Sequence, residues 1–317
     1  MRAVLLREFG PPDRLQPVTL ADPRPGEGEV IIATEFAGVT FVETQIRAGR
    51  PPRPSMLPDL PVVPGNAVGG VVVEVGSEID VQLVGRRVVS SLRGSGGYAE
   101  RALAATSALI EVPGDLVMRD AVALVADGRT ALMAIRSMAP EAGERVLVLP
   151  AGGGLGSLLV QLLHTAGATV FAAAGGDRKL ELARSLGAHH TVDYRREDWW
   201  KSLDLIDLVI DGVGGTVGRA AFKLLRPGGR MLRLGMASGA FTAVSDHDAA
   251  AGQVSLVQTP PPDPSTLKDL AREALDISAQ GKLQPIVGQT FPLEHAGDAH
   301  AAIEARTTIG KTLLAAR

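Results

Sequence analysis

Apolar and polar positions along this chain follow two different rhythms. Up to about residue 120, short apolar runs are separated by Gly and Pro. They predict strands over 2–6, 29–38, 67–75, 86–90 and 98–104, a compact and mostly antiparallel barrel or sandwich. The β-branched run Val71-Val72-Val73 predicts a strand buried on both faces. Six prolines between Pro51 and Pro64 predict an irregular loop over part of one face. Beyond Met118 the rhythm changes. A helical pattern over 119–138 stops before Pro140. Strands at 145–150, 169–174, 191–193, 208–211 and 229–234 then alternate with helices at 156–166, 177–186 and 217–225, the signature of crossover units on a parallel sheet. A turn or boundary at 260–264, helices at 265–280 and about 295–305, and a closing strand at 310–315 complete the reading, with no internal repeat.

Composition narrows the function classes. At about 150 residues per domain, 317 residues suggest two domains. A hydrophobic fraction of 45% is ample for a core. A net charge of −3 without a basic block, and only 3% aromatic residues, disfavour nucleic acid as a partner. The absence of cysteine removes disulfides, thiolate zinc sites, iron–sulfur clusters and cysteine nucleophiles. The first seven residues read as a strand followed by Pro11-Pro12, not a signal peptide, and no apolar run reaches membrane-spanning length. A soluble, cytoplasmic protein with no membrane partner is expected.

The strongest chemical signal is Ala151-Gly152-Gly153-Gly154-Leu155-Gly156, set between an apolar strand and a helix. Glycines allow a sharp turn and a close backbone approach to a pyrophosphate, while the helix N-terminus offers free N–H groups and partial positive charge. Ser157 stands where a strict G-x-G-x-x-G would end, and a glycine cluster before a helix can also be a simple tight turn. Some 20 residues on, where NAD sites carry an acid for the ribose 2′-hydroxyl, this chain has Ala172 and then Ala174-Gly175-Gly176. Arg178 and Lys179 follow, so room and positive charge favour the 2′-phosphate of NADP(H). The competing reading makes both a solvated helix face. Asp177 is assigned as the N-cap of the following helix. The loops 211–215, containing Gly212, and 234–239, containing Gly235 and Met236, also follow strands and are expected to border the cofactor, the latter near the nicotinamide; each could equally be an ordinary turn.

Taken in order, Ala37-Gly38-Val39, Val63-Pro64-Gly65, Gly69-Gly70-Val71-Val72, Val84-Gly85-Arg86-Arg87-Val88, Gly96-Gly97-Tyr98-Ala99-Glu100, the Ala151–Gly156 loop, Leu186-Gly187-Ala188, Leu225-Arg226-Pro227-Gly228-Gly229 and Gly310-Lys311 form a recognisable series. End to end, the chain resembles the medium-chain dehydrogenase/reductase superfamily, in its zinc-free quinone oxidoreductase branch. The resemblance implies an α/β protein with a GroES-like β-rich catalytic domain (residues 1–120 and 260–317) and an inserted doubly wound Rossmann domain (121–259). It also implies cofactor and substrate in the cleft between the domains, and a homodimer. By position, Gly153, Gly154, Leu155 and Gly156 match the family's pyrophosphate loop. Gly175, Arg178, Lys179 and Tyr194 match its 2′-phosphate pocket, and Lys311 a place near the cofactor.

The departures concern the acceptor. Thr40 stands where the resemblance implies Asn, Glu43 and Gln45 where Asp and Tyr are frequent, and Asn66 where Glu is usual. Thr40 and Gln45 can donate hydrogen bonds but are poor proton donors at neutral pH. Tyr98 and Tyr194 match no acid position. The six histidines suit surface or packing roles better than metal ligation, His189-His190 being placed in a turn. The expected chemistry is metal-free hydride transfer from NADPH to a quinone or α,β-unsaturated carbonyl. Thr40 or Gln45 would bond the acceptor oxygen, water would complete protonation, and Arg47 and Arg129 would favour the developing charge. Glu43 could simply pair with Arg47 at helical spacing. An enoyl-thioester reductase, and a non-catalytic NADPH-binding redox sensor or structural protein, are the alternatives.

Overall fold

The computed structural model describes residues 1–259 and 263–316. Residues 260–262, within the turn expected at 260–264, lie outside them. In chain order the elements are β1 (Arg2–Leu6), β2 (Leu15–Thr19), β3 (Glu29–Val39), α1 (Phe41–Arg47), β4 (Ala67–Val75), β5 (Arg87–Ser91), β6 (Arg101–Ala105), β7 (Ile110–Glu111) and α2 (Met118–Met138). There follow β8 (Arg145–Leu149), α3 (Gly154–Thr165), β9 (Thr169–Ala174), α4 (Asp177–Ser185), β10 (His190–Asp193), β11 (Ile206–Asp211), α5 (Gly215–Phe222), β12 (Leu225–Arg233), α6 (Asp246–Ala251) and β13 (Ser255–Val257). Last come α7 (Pro264–Ala279), β14 (Val287–Pro292), α8 (Ala296–Glu304) and β15 (Lys311–Ala315). Contacts divide the chain into two units, Met1–Arg129 with Leu267–Arg317, and Thr130–Thr266.

The first unit holds a seven-stranded sheet in the order β14-β15-β3-β4-β5-β7, with β6 also on β3, plus the β1–β2 hairpin. Every pair is antiparallel except β14–β15. Both chain ends thus meet in one sheet, β15 pairing with β3 from Thr312 opposite Val39 to Ala315 opposite Phe36. Its core gathers Val4, Leu6, Val30, Ile32, Val68, Val72, Leu293 and Leu314. Val71-Val72-Val73 departs from expectation: Val72 is buried but Val73 is 39% exposed, because this stretch of an antiparallel sheet turns one face to solvent. The proline-rich segment is irregular apart from one short turn, Pro54–Met56. The first unit runs on to Arg129 because the start of α2 packs on β4: a Cβ at Gly69 would collide with Val122, and would lie 2.6 Å from Met118 Sδ.

The second unit is a six-stranded parallel sheet in the order β10-β9-β8-β11-β12-β13. Counted within the unit this is 3-2-1-4-5-6, the Rossmann order, in which ligands sit beyond the strand ends where the order reverses. Here the reversal falls between β8 and β11. The core is built from Leu147, Leu149, Phe171, Val209, Phe222 and Met231. Helix α5 stops at Phe222, three residues before the end read from sequence, because β12 begins at Leu225. His190 opens β10 and stacks on Phe171 at 4.4 Å, and His189 Nδ1 accepts a hydrogen bond from the Val170 amide at 3.0 Å. The pair is therefore part of the strand's entry and not of a free turn.

Candidate functional site

At the reversal in the second unit, β8 leads through Pro150–Gly153 into α3. Gly153 is the N-cap with no side-chain cap, and a Cβ there would meet nothing within 4 Å, so the chain at the head of α3 is uncrowded on that side. Gly156 is the opposite case: a Cβ would run into the Pro150 carbonyl oxygen, so only glycine lets the helix lie this close to the turn. Gly152 has the stem of Lys179 against it, 2.6 Å from where a Cβ would stand. The neighbouring loop is stitched to this one by Gly212 N–H donating to the Leu149 carbonyl at 2.6 Å.

Asp211, wholly buried at the end of β11, organises that loop. One oxygen accepts from the Val213 and Gly214 amides, both at 2.9 Å, and the other from the Thr242 hydroxyl. Burial raises its pKa, against which these bonds favour the charged form. A Cβ at Gly235 would come within 2.7 Å of the Gly212 carbonyl oxygen, so the loops after β11 and β12 touch and carry Gly212, Gly235 and Met236 along one rim.

Beyond β9, Gly176 takes φ +98°, which makes it the N-cap of α4 and moves Asp177 one place into the helix. The residue lying over this turn is one the sequence reading passed over. Arg195 Nη2 would be 3.1 Å from a Cβ on Gly176, and Arg195 Cδ 3.2 Å and the Tyr194 ring 3.5 Å from one on Gly175. Arg195 is held by Asp193, Nε donating at 3.0 Å and Nη2 at 2.7 Å, and this keeps the Asp193 carboxyl below its ordinary range. Arg178 is exposed. The available signal was the position of Asp193-Tyr194-Arg195 at the carboxyl end of a parallel strand.

The first unit carries a different site. Thr40 caps α1 in a capping box: its hydroxyl donates to Glu43 Oε2 at 2.9 Å and accepts from the Glu43 amide at 3.3 Å. Glu43 Oε2 also takes the Thr40 amide at 2.6 Å, and Oε1 the Asn66 amide at 2.9 Å. Glu43 is buried, which raises its pKa, and it does not pair with Arg47. Arg47, 2% exposed, instead pairs with Glu304 on α8 and donates to the Gly10 carbonyl at 2.8 Å. The Gln45 side chain is buried and donates to Thr44 Oγ1 at 3.1 Å. Thr40 thus caps α1, Arg47 ties it to α8, and Gln45 bonds its neighbour Thr44.

Lys311 is buried on β15, its ammonium donating to Asp127 Oδ1 of α2 at 3.1 Å, and its charge reaches Glu43. Arg129, two residues beyond Asp127, donates to Ser91 Oγ at 3.4 Å; Ser91 pairs with Ala67, next to Asn66. Glu43, Asn66, Ser91, Arg129, Asp127 and Lys311 therefore close a polar ring within this unit. Nearby, Tyr98 Oη and His300 Nε2 are hydrogen-bonded at 2.9 Å, both fully buried. Burial, helped by the Arg47 charge, pushes the His300 pKa down to about 3. Among the described residues no group of three or more His, Asp or Glu side chains is placed to hold a metal ion, and no helix is long and apolar enough to cross a membrane.

Comparison with known proteins agrees with this layout. Residues 26–114 match the alcohol dehydrogenase GroES-like domain, and residues 186–314 the zinc-binding dehydrogenase model. The chain is 31% identical to a 2-haloacrylate reductase of Burkholderia sp, over 98% of each chain. It is 32% identical to the human quinone oxidoreductase, covering 96% of this chain and 94% of that one. Among solved structures, a mycobacterial protein complexed with NADPH superposes with a TM-score of 0.88 at 32% identity, covering 99% of this chain and all of that one. The Escherichia coli quinone oxidoreductase complexed with NADPH gives 0.89 at 26% identity, with the same coverage.

Proposed function

This chain belongs to the zinc-free quinone oxidoreductase branch of the medium-chain dehydrogenase/reductase superfamily, and on that premise we propose that it is an NADPH-dependent oxidoreductase reducing a quinone or an α,β-unsaturated carbonyl without metal. The observation that carries this reading is the pair Gly153 and Gly156. One leaves the chain at the head of α3 uncrowded, and the other lets α3 approach its strand at the point where the sheet order reverses. NADPH supplies a hydride, which together with a proton from water completes a two-electron reduction of the acceptor.

The chain's own residues divide the remaining work. The α3 amides beyond Gly153 receive the pyrophosphate, with Gly154, Leu155 and Gly156 shaping their approach. Gly175, Tyr194, Lys179 and Arg195 form the 2′-phosphate pocket, Arg195 replacing the exposed Arg178 as its principal cation. Gly212, Gly235 and Met236 line the nicotinamide side. Lys311, bound to Asp127 in the first unit, serves the polar ring there, so we move it from the cofactor to the acceptor side. Homodimer formation, which light scattering tests, belongs to the same proposal.

The deciding experiment measures NADPH and NADH binding by calorimetry, and then NADPH oxidation against a panel of quinones, enones and an enoyl thioester. Tight NADPH binding with turnover of a quinone or enone is the expected result. No binding, or a preference for NADH, overturns the cofactor assignment. Tight binding without any turnover converts the reading to a non-catalytic NADPH-binding protein.

A further inference from the structure

Arg129 stands apart from the other charges of the polar ring. Lys311 is matched by Asp127 at 3.1 Å, and both oxygens of Glu43 are occupied by Thr40 and Asn66. Among the described residues, the one hydrogen bond of the Arg129 guanidinium is the 3.4 Å contact to Ser91 Oγ. Asp127 acts on it through charge, but that carboxylate is already shared with Lys311. A guanidinium offers five N–H donors in a planar fork, and in partly desolvated surroundings an unmatched fork is costly. Burial lowers the Arg129 pKa, the mark of a cation short of compensation.

We propose that Arg129 and Ser91 form an anion-binding site for a carboxylate carried by the electron acceptor, so that the preferred substrates are quinones or enones bearing an acidic group. The geometry favours a monoanion of this shape. The fork matches the two oxygens of a carboxylate, and Ser91 Oγ, which accepts from Arg129, keeps its own proton to donate. Lys311 is held by Asp127, and its charge also reaches Glu43. The Arg129 guanidinium is therefore the ring's cation with no carboxylate hydrogen-bonded to it among the described residues, one charge and too little for a phosphate dianion. Both residues of the site, Ser91 and Arg129, belong to the first unit. The assignment of the anion as part of the acceptor rests on the reductase reading above.

Two measurements separate the ideas. The first compares kcat/KM for 4-oxo-2-pentenoate with that for its neutral methyl amide. The wild-type protein is expected to favour the acid, and Arg129→Gln to reduce the acid-to-amide ratio by about 30-fold, the scale of losing a charge-assisted hydrogen bond. Arg129→Lys, which keeps the charge but not the fork, falls between the two and controls for misfolding. A wild-type preference for the amide, or a ratio unchanged in Arg129→Gln, overturns the proposal. The second follows binding of propionate, an unreactive carboxylate, by ligand-observed NMR. If neither acceptor turns over, propionate bound by wild type and lost in Arg129→Gln upholds the anion site while the reductase reading falls. Equal binding to both proteins overturns the site whatever the turnover.

Discussion

In the second unit the loops at the strand ends come together where side chains are missing. Gly156 meets the Pro150 carbonyl, and Gly218 makes room for Thr242 and the Asp211 carboxylate. In the first unit the reverse holds: Arg47 with Glu304, Tyr98 with His300, and Lys311 with Asp127 bring long polar side chains into the interior and pair them there, although Arg47 Nε and His300 Nδ1 keep no partner among the described residues. The difference teaches where each region tolerates change. A backbone surface fails when an atom is added, whereas a buried polar network fails when one is taken away.

Substitutions that exploit this difference sharpen it, beginning with the largest effect. Gly156→Ala places a methyl group against a backbone oxygen that cannot move aside; a loss of about 3 kcal/mol in urea unfolding is expected, with NADPH affinity down at least about 100-fold by fluorescence titration. Arg47→Ala deprives the quarter-exposed Glu304 of its partner and is expected to cost about 3 kcal/mol by the same unfolding assay. NADPH affinity in that variant should stay within about twofold of wild type; a large drop would break the separation between the two regions.

The third test uses pH. His300 titrates at about 3 when folded against 6.5 as its ordinary value, so between these the unfolded chain binds the extra proton. The stabilisation is complete above pH 6.5 and is lost as pH falls, by about 1.4 kcal/mol per unit. Denaturant unfolding at pH 8 and 5 should differ by about 2 kcal/mol from this residue, and His300→Gln should flatten that part of the slope. Smaller still, Arg195→Ala should reduce the preference for NADPH over NADH about tenfold, whereas exposed Arg178→Ala should change it by less than about threefold. Equal effects of the two would return the 2′-phosphate to the α4 face.

The regular elements of the second unit were legible because long apolar strands and amphipathic helices alternate there, and β9 (Thr169–Ala174) was read to the residue. What escaped was short or locally disguised. β2 carries Pro17 in an edge strand, and β10 has only four residues, which hid Arg195 just beyond it. α1 shows a plain capping-box signature in Thr40 and Glu43, whose three-residue spacing signals a helix start, whereas the sequence reading gives Thr40 to the acceptor and Glu43 to Arg47. The polar ring could not be found from sequence at all. Glu43, Ser91, Asp127 and Lys311 come from α1, β5, α2 and β15, and only the closing of the sheet by both chain ends assembles them.

If Arg195 meets the 2′-phosphate as proposed, its clasp by Asp193 has a consequence for how coenzymes are told apart. The carboxylate that aims the guanidinium also partly neutralises it, so an arriving phosphoryl group must compete with an acid already in place. Discrimination then becomes an exchange of ionic partners at an exposed position. It weakens as ionic strength rises, while the grip of neutral backbone amides on the pyrophosphate is screened far less.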